Sequence, residues 1–261
     1  MLEEHGLNLE TDDIARSWIN SLPAGATFTA EREAYITLLR NMNFDYQFGG
    51  ERKFDLDELS DNEFNDWIGA QIRVDMYGWV LPGKPHLAAE LARKDARLSH
   101  RGCAVECAAF LAALGALVPS VENRIDAVSQ AMTFIDDRSE AYEAVSLGKK
   151  NIGKSFKKIF DKYKDLSPVH SLNNLAVVVW SFLSFPDSFD EAVGEAVSAG
   201  WDTDCNGATV GGLHGLASGF IPKNWTDPWQ GKVNTTLSGI GELRLENLVE
   251  RTESLIRKFS S

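Results

Sequence analysis

Hydrophobic side chains recur every three or four residues along most of the chain, which is the spacing of one face of an α-helix. Pro85 is suited to a first helical position, and the helix predicted after it ends at Ser99–Gly102. Ser188 and Glu191 form a predicted capping box before a further helix. The apolar stripes are Leu87, Leu91 and Leu98; Ile125, Val128, Met132 and Ile135, with Ser120 as the predicted cap; Phe156, Ile159, Phe160 and Tyr163; Phe189, Val193 and Val197; and Leu245, Leu248, Val249, Thr252, Ile256 and Phe259.

Two segments are apolar on every side, which is typical of helices buried in a core. They are Cys103–Val118 and Leu172–Leu183. No run of alternating strand-like residues is followed by a hairpin turn, and the one conspicuous loop is Gly49–Asn65. The sequence therefore predicts an all-α fold, a compact multi-helix bundle of about ten helices. Residues 1–261 are expected to form a single domain.

Charge and composition exclude several classes of function. The chain has 38 acidic and 26 basic residues and a formal net charge of -12, so binding of nucleic acid through a broad basic face is not expected. The N-terminal residues lack the pattern of a secretory signal, and the most apolar run contains Glu106, so no membrane partner is expected. Three cysteines without paired spacing indicate a reducing compartment, and the predicted location is cytoplasmic. Tryptophans 18, 180, 225 and 229 are interpreted as packing residues.

The segment with the clearest chemistry runs from Gly200 to Gly215. Asp202 and Asp204 lie two residues apart between a helix stop and a helix rich in small residues. In an irregular turn such side chains can converge, and carboxylate oxygens suit Mg²⁺ or Mn²⁺. An aspartate here can equally cap the new helix and offset its dipole. Spacing alone leaves both interpretations open and favours capping.

The same segment resembles the C-terminal motif of the ADP-ribosylglycohydrolase family, in which an Asp-Thr-Asp sequence precedes a small-residue helix. Further points of resemblance follow in the expected order between about Trp67 and Trp225. They are Ile68–Gly83, Ala88–His100, His170–Ala176 and Ile221–Trp225.

The resemblance implies an all-α hydrolase with a dinuclear Mg²⁺ or Mn²⁺ centre. Such an enzyme cleaves the bond between ADP-ribose and an acceptor, so the expected partner is an ADP-ribosylated protein or a small ADP-ribose conjugate. Asp202 and Asp204 match the family's metal-binding and catalytic aspartates, whereas Cys205 stands where the family usually has threonine. A thiol is a soft and therefore poor ligand for Mg²⁺.

The matching motifs also supply candidate substrate-binding residues, each with an alternative role. They are Arg73, Asp75, Ser99, His100, His170, Asn173 and Asn206. Arg73 is suited to a phosphate, and it is equally suited to a surface ion pair. His100 lies at a helix end, where a histidine also suits the helix dipole, and the matching Ser99-His100 context favours contact with ribose or phosphate. His170 and Asn173 lie at a helix start, where capping is the simpler role, and Asn174 shares that position. His214 is interpreted as a packed residue and Asp95 as a helix-surface or cavity-wall residue.

One departure from the family pattern concerns the metal ligands. The family's N-terminal acidic block is not recognised here, and Thr11-Asp12-Asp13 is interpreted as a helix start, with Thr11 as cap, rather than as a metal site. Two aspartates leave most positions of two six-coordinate ions to water and substrate. We therefore expect weak binding of one ion and little hydrolysis by this chain. The alternative function is a non-catalytic structural relative, or one that binds ADP-ribose or a nucleotide.

Overall fold

The computed structural model describes residues 1–260, and it confirms the all-α prediction for that range. The α-helices are α1 (Leu2–His5), α2 (Thr11–Ser21), α3 (Thr29–Asn41), α4 (Asp75–Trp79), α5 (Pro85–Ala96), α6 (Cys103–Leu117), α7 (Arg124–Ala131), α8 (Glu140–Lys150), α9 (Lys157–Tyr163), α10 (Ser171–Ser184), α11 (Phe189–Ser198), α12 (Thr203–Ser218), α13 (Lys223–Thr226) and α14 (Leu245–Ser260). Short 3₁₀ turns connect several of them, including Asp57–Ser60 inside the predicted loop and Gln71–Arg73 before α4.

Two buried helices organise the bundle, as the apolar segments predicted. Helix α6 packs against α4, α5 and α7, whereas α10 packs against α8, α11 and α12. Glycines allow two of these contacts to be very close. A Cβ atom at Gly78 would lie 2.7 Å from the carbonyl oxygen of Ala112 in α6, and one at Gly148 would lie 2.7 Å from that of Ala176 in α10.

The apolar character of α6 is explained by this packing. Together with the following turn, residues Cys103–Ser120 are long and apolar enough to cross a membrane by length and composition, but 78% of that segment is buried inside the protein. The presence of Glu106 therefore does not by itself exclude a membrane span here, contrary to the sequence argument. The neighbouring helices account for the buried apolar surface.

Several local predictions were wrong at helix ends and surfaces. Ser120 lies in a 3₁₀ turn, and Asn123 caps α7 instead by accepting a hydrogen bond from the Asp126 amide. Helix α2 begins one residue earlier than expected, because Glu10 occupies the cap position and its amide donates to Asp13. Seven residues of the predicted apolar stripes and packing tryptophans are substantially exposed, namely Ile125, Phe160, Val197, Trp225, Trp229, Leu245 and Val249.

The described chain also contains a small two-stranded hairpin that the sequence analysis did not predict. Strands β1 (Lys232–Asn234) and β2 (Glu242–Arg244) pair antiparallel, with Val233 opposite Leu243. Strands of three residues are too short to show an alternating pattern, which explains why the sequence gives no signal for them. The C-terminal amphipathic helix that follows, α14, is confirmed, with Leu255 and Phe259 buried.

Candidate functional site

The Asp202 turn lies between α11 and α12 and follows an unusual backbone. Gly200 and Trp201 both have positive φ, 81° and 60°, and this left-handed conformation is strained for a tryptophan. The Trp201 ring stacks on Phe160 at a centroid distance of 6.0 Å, which holds the residue in place. Asp202 then occupies the N-cap position of α12, but its side chain makes no capping hydrogen bond, contrary to the interpretation that spacing alone favoured. Asp204 lies in the first turn of this helix.

Three side chains of this turn converge. One ligand atom from each of Asp202, Asp204 and Cys205 lies within 4.8 Å of the other two. Among residues 1–260, neither aspartate forms an ion pair with a lysine, arginine or histidine. The turn is therefore a concentration of negative charge without a nearby protein cation.

This arrangement separates the proton affinities of the two aspartates. Burial raises the pKa of Asp202, and the carboxylate of Asp204 adds to that effect. A hydrogen bond from Asp202 lowers the pKa of Asp204, so Asp202 takes up a proton at a higher pH than Asp204 does. Burial and the neighbouring Asp202 raise the pKa of Cys205 well above its ordinary value. Cys205 is therefore a neutral thiol near pH 7.

Asn174 fixes the turn to helix α10. Its Oδ1 atom accepts hydrogen bonds from the Asp202 amide at 3.2 Å and from Nδ2 of Asn206 at 2.7 Å. Its Nδ2 atom donates to the carbonyl oxygens of Pro168 and His170 at 2.9 and 2.8 Å. Asn174 is fully buried, so its amide is a rigid link between the start of α10 and the aspartate turn.

The aspartates open onto a cavity of about 480 Å³. Its wall is formed mainly by aromatic and aliphatic side chains, and its polar members come from three separate parts of the chain. Residues that line it include Trp18, Phe28, Thr29, Glu31, Trp67, Gly69, Arg73, Asp202, Asp204 and Cys205. Two clefts of about 900 and 830 Å³ lie elsewhere and contain neither aspartate, so chemistry rather than size identifies the candidate site.

Arg73 is the one guanidinium on this wall, and protein groups already bind it. Its Nε and Nη1 atoms lie 2.5 Å from Asp95 and from Glu31, respectively. Nη2 donates to the Asp95 carbonyl oxygen and to Ser99 Oγ at 3.1 and 3.0 Å. Tyr77 donates a further hydrogen bond to Asp95 at 2.7 Å. Asp95 is thus a buried partner of Arg73 and not a helix-surface residue.

Other predicted residues lie apart from the cavity wall. His170 caps α10 by accepting from the Leu172 amide at 3.1 Å, and Asn173 donates to the Ser167 carbonyl oxygen at 3.0 Å. Asp75 begins α4, and burial raises its pKa to about 7. Packing of His214 is confirmed, since it is buried against Phe189 at a centroid distance of 5.4 Å.

The Thr11-Asp12-Asp13 segment is occupied by structural contacts. The Thr11 hydroxyl donates to the Lys94 carbonyl oxygen at 2.7 Å, and Asp12 forms ion pairs with Arg16 and Arg52 at 3.0 Å each. None of the three residues lines the Asp202 cavity. Their contacts favour the interpretation as a helix start.

The donor set of the turn fits one divalent cation better than two. Asp202 and Asp204 supply hard oxygen ligands close together and without a compensating charge, which suits Mg²⁺ or Mn²⁺. The protonated thiol of Cys205 does not suit these ions. Asn206 Oδ1, which is buried without a hydrogen-bond partner in the described chain, is a further hard donor of the same turn.

Sequence reasoning missed two important side chains. Glu31 lies in the first turn of α3, where an acidic residue is ordinary and gives no signal of a site. Asn174 was noted only as a residue at a helix start. In both cases the important contacts join residues far apart in the chain, so only the fold reveals them.

Comparisons with known proteins agree with the motif. An uncharacterised protein of Archaeoglobus fulgidus is 28% identical over 167 residues, which is 63% of this chain and 53% of that relative. The chain therefore spans about half the length of the curated relative that it matches. No solved structure matches the chain. The family model described as ADP-ribosylglycohydrolase matches residues 1–258, nearly the whole sequence, and the chain therefore belongs to the ADP-ribosylglycohydrolase family.

Proposed function

We propose that this chain carries the cation-binding and ligand-binding part of a metal-dependent hydrolase that cleaves bonds between ADP-ribose and an acceptor. The observation that carries the proposal is the pair Asp202 and Asp204, which opens onto a cavity and forms no ion pair with a protein cation among the described residues. Family membership supports the same reaction class. Asp202 and Asp204 would hold one Mg²⁺ or Mn²⁺, with Asn206 as a further donor.

Cleavage at the anomeric carbon of a ribose passes through an oxocarbenium-like state. A bound divalent cation supplies Lewis acidity and offsets the charge of a diphosphate. The chain's own groups contribute negative charge near the positive sugar ring and a largely apolar wall that limits access of water. Because Arg73 is already paired with Glu31 and Asp95, the diphosphate depends on the cation for charge compensation.

Titration of the protein with Mn²⁺ by calorimetry tests the cation site. We expect weak binding of one ion and a loss of affinity of at least about tenfold in Asp202→Asn and in Asp204→Asn. Asp165→Asn is the matched control, because it removes one exposed carboxylate outside the cavity and should leave affinity unchanged. Equal affinity in all four proteins would refute the role of the pair.

Release of ADP-ribose from a peptide modified on arginine or on serine, with Mg²⁺ present, tests the reaction. Turnover that disappears in Asp204→Asn supports the hydrolase. Binding of ADP-ribose with no release from either peptide would instead favour the alternative of a ligand-binding relative that does not cleave.

A further inference from the structure

We infer that Glu31 is the carboxylate of this cavity that receives hydrogen bonds from the hydroxyl groups of a ribosyl ligand, and that Arg73, Ser99 and His100 hold Glu31 in place. This inference rests on the proposed function for the identity of the ligand. The motif resemblance assigned Arg73, Ser99 and His100 to substrate binding. In this inference they are positioning residues that act through Glu31.

The first support is the direction of the hydrogen bonds around Ser99. A guanidinium only donates, so Ser99 Oγ accepts from Arg73 Nη2 at 3.0 Å. Ser99 is fully buried, and the acceptor within reach of its own proton is Nδ1 of His100 at 2.8 Å. His100 therefore carries its proton on Nε2, the other ring nitrogen.

Glu31 is the carboxylate nearest to that Nε2–H group. His100 is fully buried, and its Nε2 atom has no hydrogen-bond partner within residues 1–260. The nearest carboxylate oxygen is Glu31 Oε1, at 4.0 Å, and Arg73 Nη1 lies 2.5 Å from the same oxygen. Burial of an N–H group without a hydrogen-bond partner is unfavourable. The negative charge of the nearby Glu31 carboxylate attracts the positive end of this N–H dipole and offsets part of that cost.

Gly69 provides the space for the Glu31 carboxylate. A Cβ atom at this position would lie 2.2 Å from Glu31 Oε1 and 2.7 Å from Oε2. Both distances are too short, so any larger residue here would displace the carboxylate. The φ angle of Gly69 is not in the left-handed region, so the glycine is required for space and not for its backbone conformation. Glu31 is therefore held by Arg73 and His100 on one side and by the Gly69 backbone on the other.

One oxygen of Glu31 stays available. Oε2 has no hydrogen bond within the described chain, and 17% of the Glu31 side chain remains exposed in the cavity that it shares with Asp202 and Asp204. The polar network behind Glu31 therefore presents this oxygen to whatever occupies the cavity.

The charges around Glu31 select the class of ligand. Arg73 offsets the Glu31 carboxylate only in part, because it also pairs with Asp95. A cation still gains more at Asp202 and Asp204, which form no ion pair in the described chain. A phosphate is repelled by all three carboxylates. A neutral hydroxyl group donates to the free oxygen without either difficulty, and a ribosyl group offers two adjacent hydroxyls.

Calorimetric binding of ADP-ribose in the presence of Mg²⁺ tests the inference, together with two analogues that each lack one hydroxyl of the terminal ribose. A hydrogen bond to a charged group corresponds to about tenfold or more in affinity. We expect the wild-type protein to prefer ADP-ribose over at least one analogue by that factor, and Glu31→Gln to lose the preference. Glu33→Gln is the matched control, because it makes the same change two residues along α3 at a side chain that does not line the cavity.

Two further measurements separate positioning from folding. Gly69→Ala, which displaces the carboxylate without removing it, should reproduce the loss of preference while circular dichroism and Mn²⁺ affinity stay unchanged. The ¹⁵N chemical shifts of His100 should report a neutral ring protonated on Nε2, and a proton on Nδ1 would overturn the proposed arrangement.

The remaining outcomes distinguish this inference from the function on which it rests. Unchanged affinity and preference in Glu31→Gln would overturn the role of Glu31 and leave the hydrolase proposal intact, provided that Asp202→Asn still loses Mn²⁺. Absence of ADP-ribose binding in the wild-type protein would overturn both.

Discussion

Replacement of Asn174 by alanine should weaken both the fold and the cation site. The side chain makes hydrogen bonds to the Asp202 amide, the Asn206 side chain and the carbonyl oxygens of Pro168 and His170. Each buried partner left without a hydrogen bond costs about 1–3 kcal/mol, and water entering the vacated space recovers part of that. We therefore expect Asn174→Ala to lower the free energy of unfolding by about 2–4 kcal/mol.

The effect on the site follows from the same contacts. Without Asn174, the Asp202 amide and the Asn206 side chain lose the group that fixes them to α10, and Asn206 already has one buried oxygen without a partner in the described chain. Loss of such an orienting group costs about 10–100-fold in metal affinity. Mn²⁺ affinity should therefore fall by about tenfold or more, even at temperatures where the variant stays folded.

Urea unfolding and calorimetric titration with Mn²⁺ measure the two effects on the same samples. Ser181→Ala is the matched control, because this fully buried hydroxyl of α10 donates to the Ala192 carbonyl oxygen at 2.5 Å, away from the aspartate turn. The control should lose stability and keep its Mn²⁺ affinity. A change of less than about 0.5 kcal/mol in Asn174→Ala, or Mn²⁺ affinity equal to that of the control, would refute the reasoning.

Three further predictions concern stability. Burial raises the pKa of Asp75 to about 7 in the fold, compared with about 3.9 in an unfolded chain, so its stabilising protonated form is lost as the pH rises through 7. In urea unfolding at pH 8, Asp75→Asn should be more stable than the wild type by about 1–3 kcal/mol, after allowance for partial exposure. At pH 4 the two proteins should be nearly equal in stability. Gly148→Ala should destabilise by about 1–3 kcal/mol, because its Cβ would lie 2.7 Å from the Ala176 carbonyl oxygen, whereas Gly194→Ala, with no atom within 4 Å, should be neutral or stabilising in the same assay. Asp202→Asn should raise the melting temperature of the metal-free protein at pH 7, because the pKa of Asp202 is raised and its ionised form is unfavourable in the fold. A gain in melting temperature that persists below pH 3 would contradict this.

The sequence predicted helices well where burial determines them. Helices α6 and α10 are apolar on all sides, and their positions follow from that pattern alone. Helix ends were predicted less well, since both Ser120 and Asn123 are good capping residues and the choice depends on where the 3₁₀ turn after α6 ends. The hairpin at β1 and β2 is too short for any periodic signal.

The candidate site was predicted only in its local part. Asp202 and Asp204 belong to one turn, so their proximity follows from spacing. The contact between Arg73 and Glu31 joins residues 42 positions apart, and that between Asn174 and Asn206 joins residues 32 positions apart. Such pairs depend on topology, which a single sequence does not supply. Arg73 lies on the cavity wall, but its donors bind protein groups.

Unfavourable local features of this protein concentrate around the Asp202 cavity. Three non-glycine residues of the described chain have positive φ, and two of them, Thr29 on the cavity wall and Trp201 beside Asp202, adjoin this site. Each such conformation costs about 1–3 kcal/mol and persists only where the surrounding structure maintains it. The like charges of Asp202 and Asp204 add to this cost. Their coincidence at one cavity supports a binding role for it by an argument from backbone conformation and charge, which needs no comparison with other proteins.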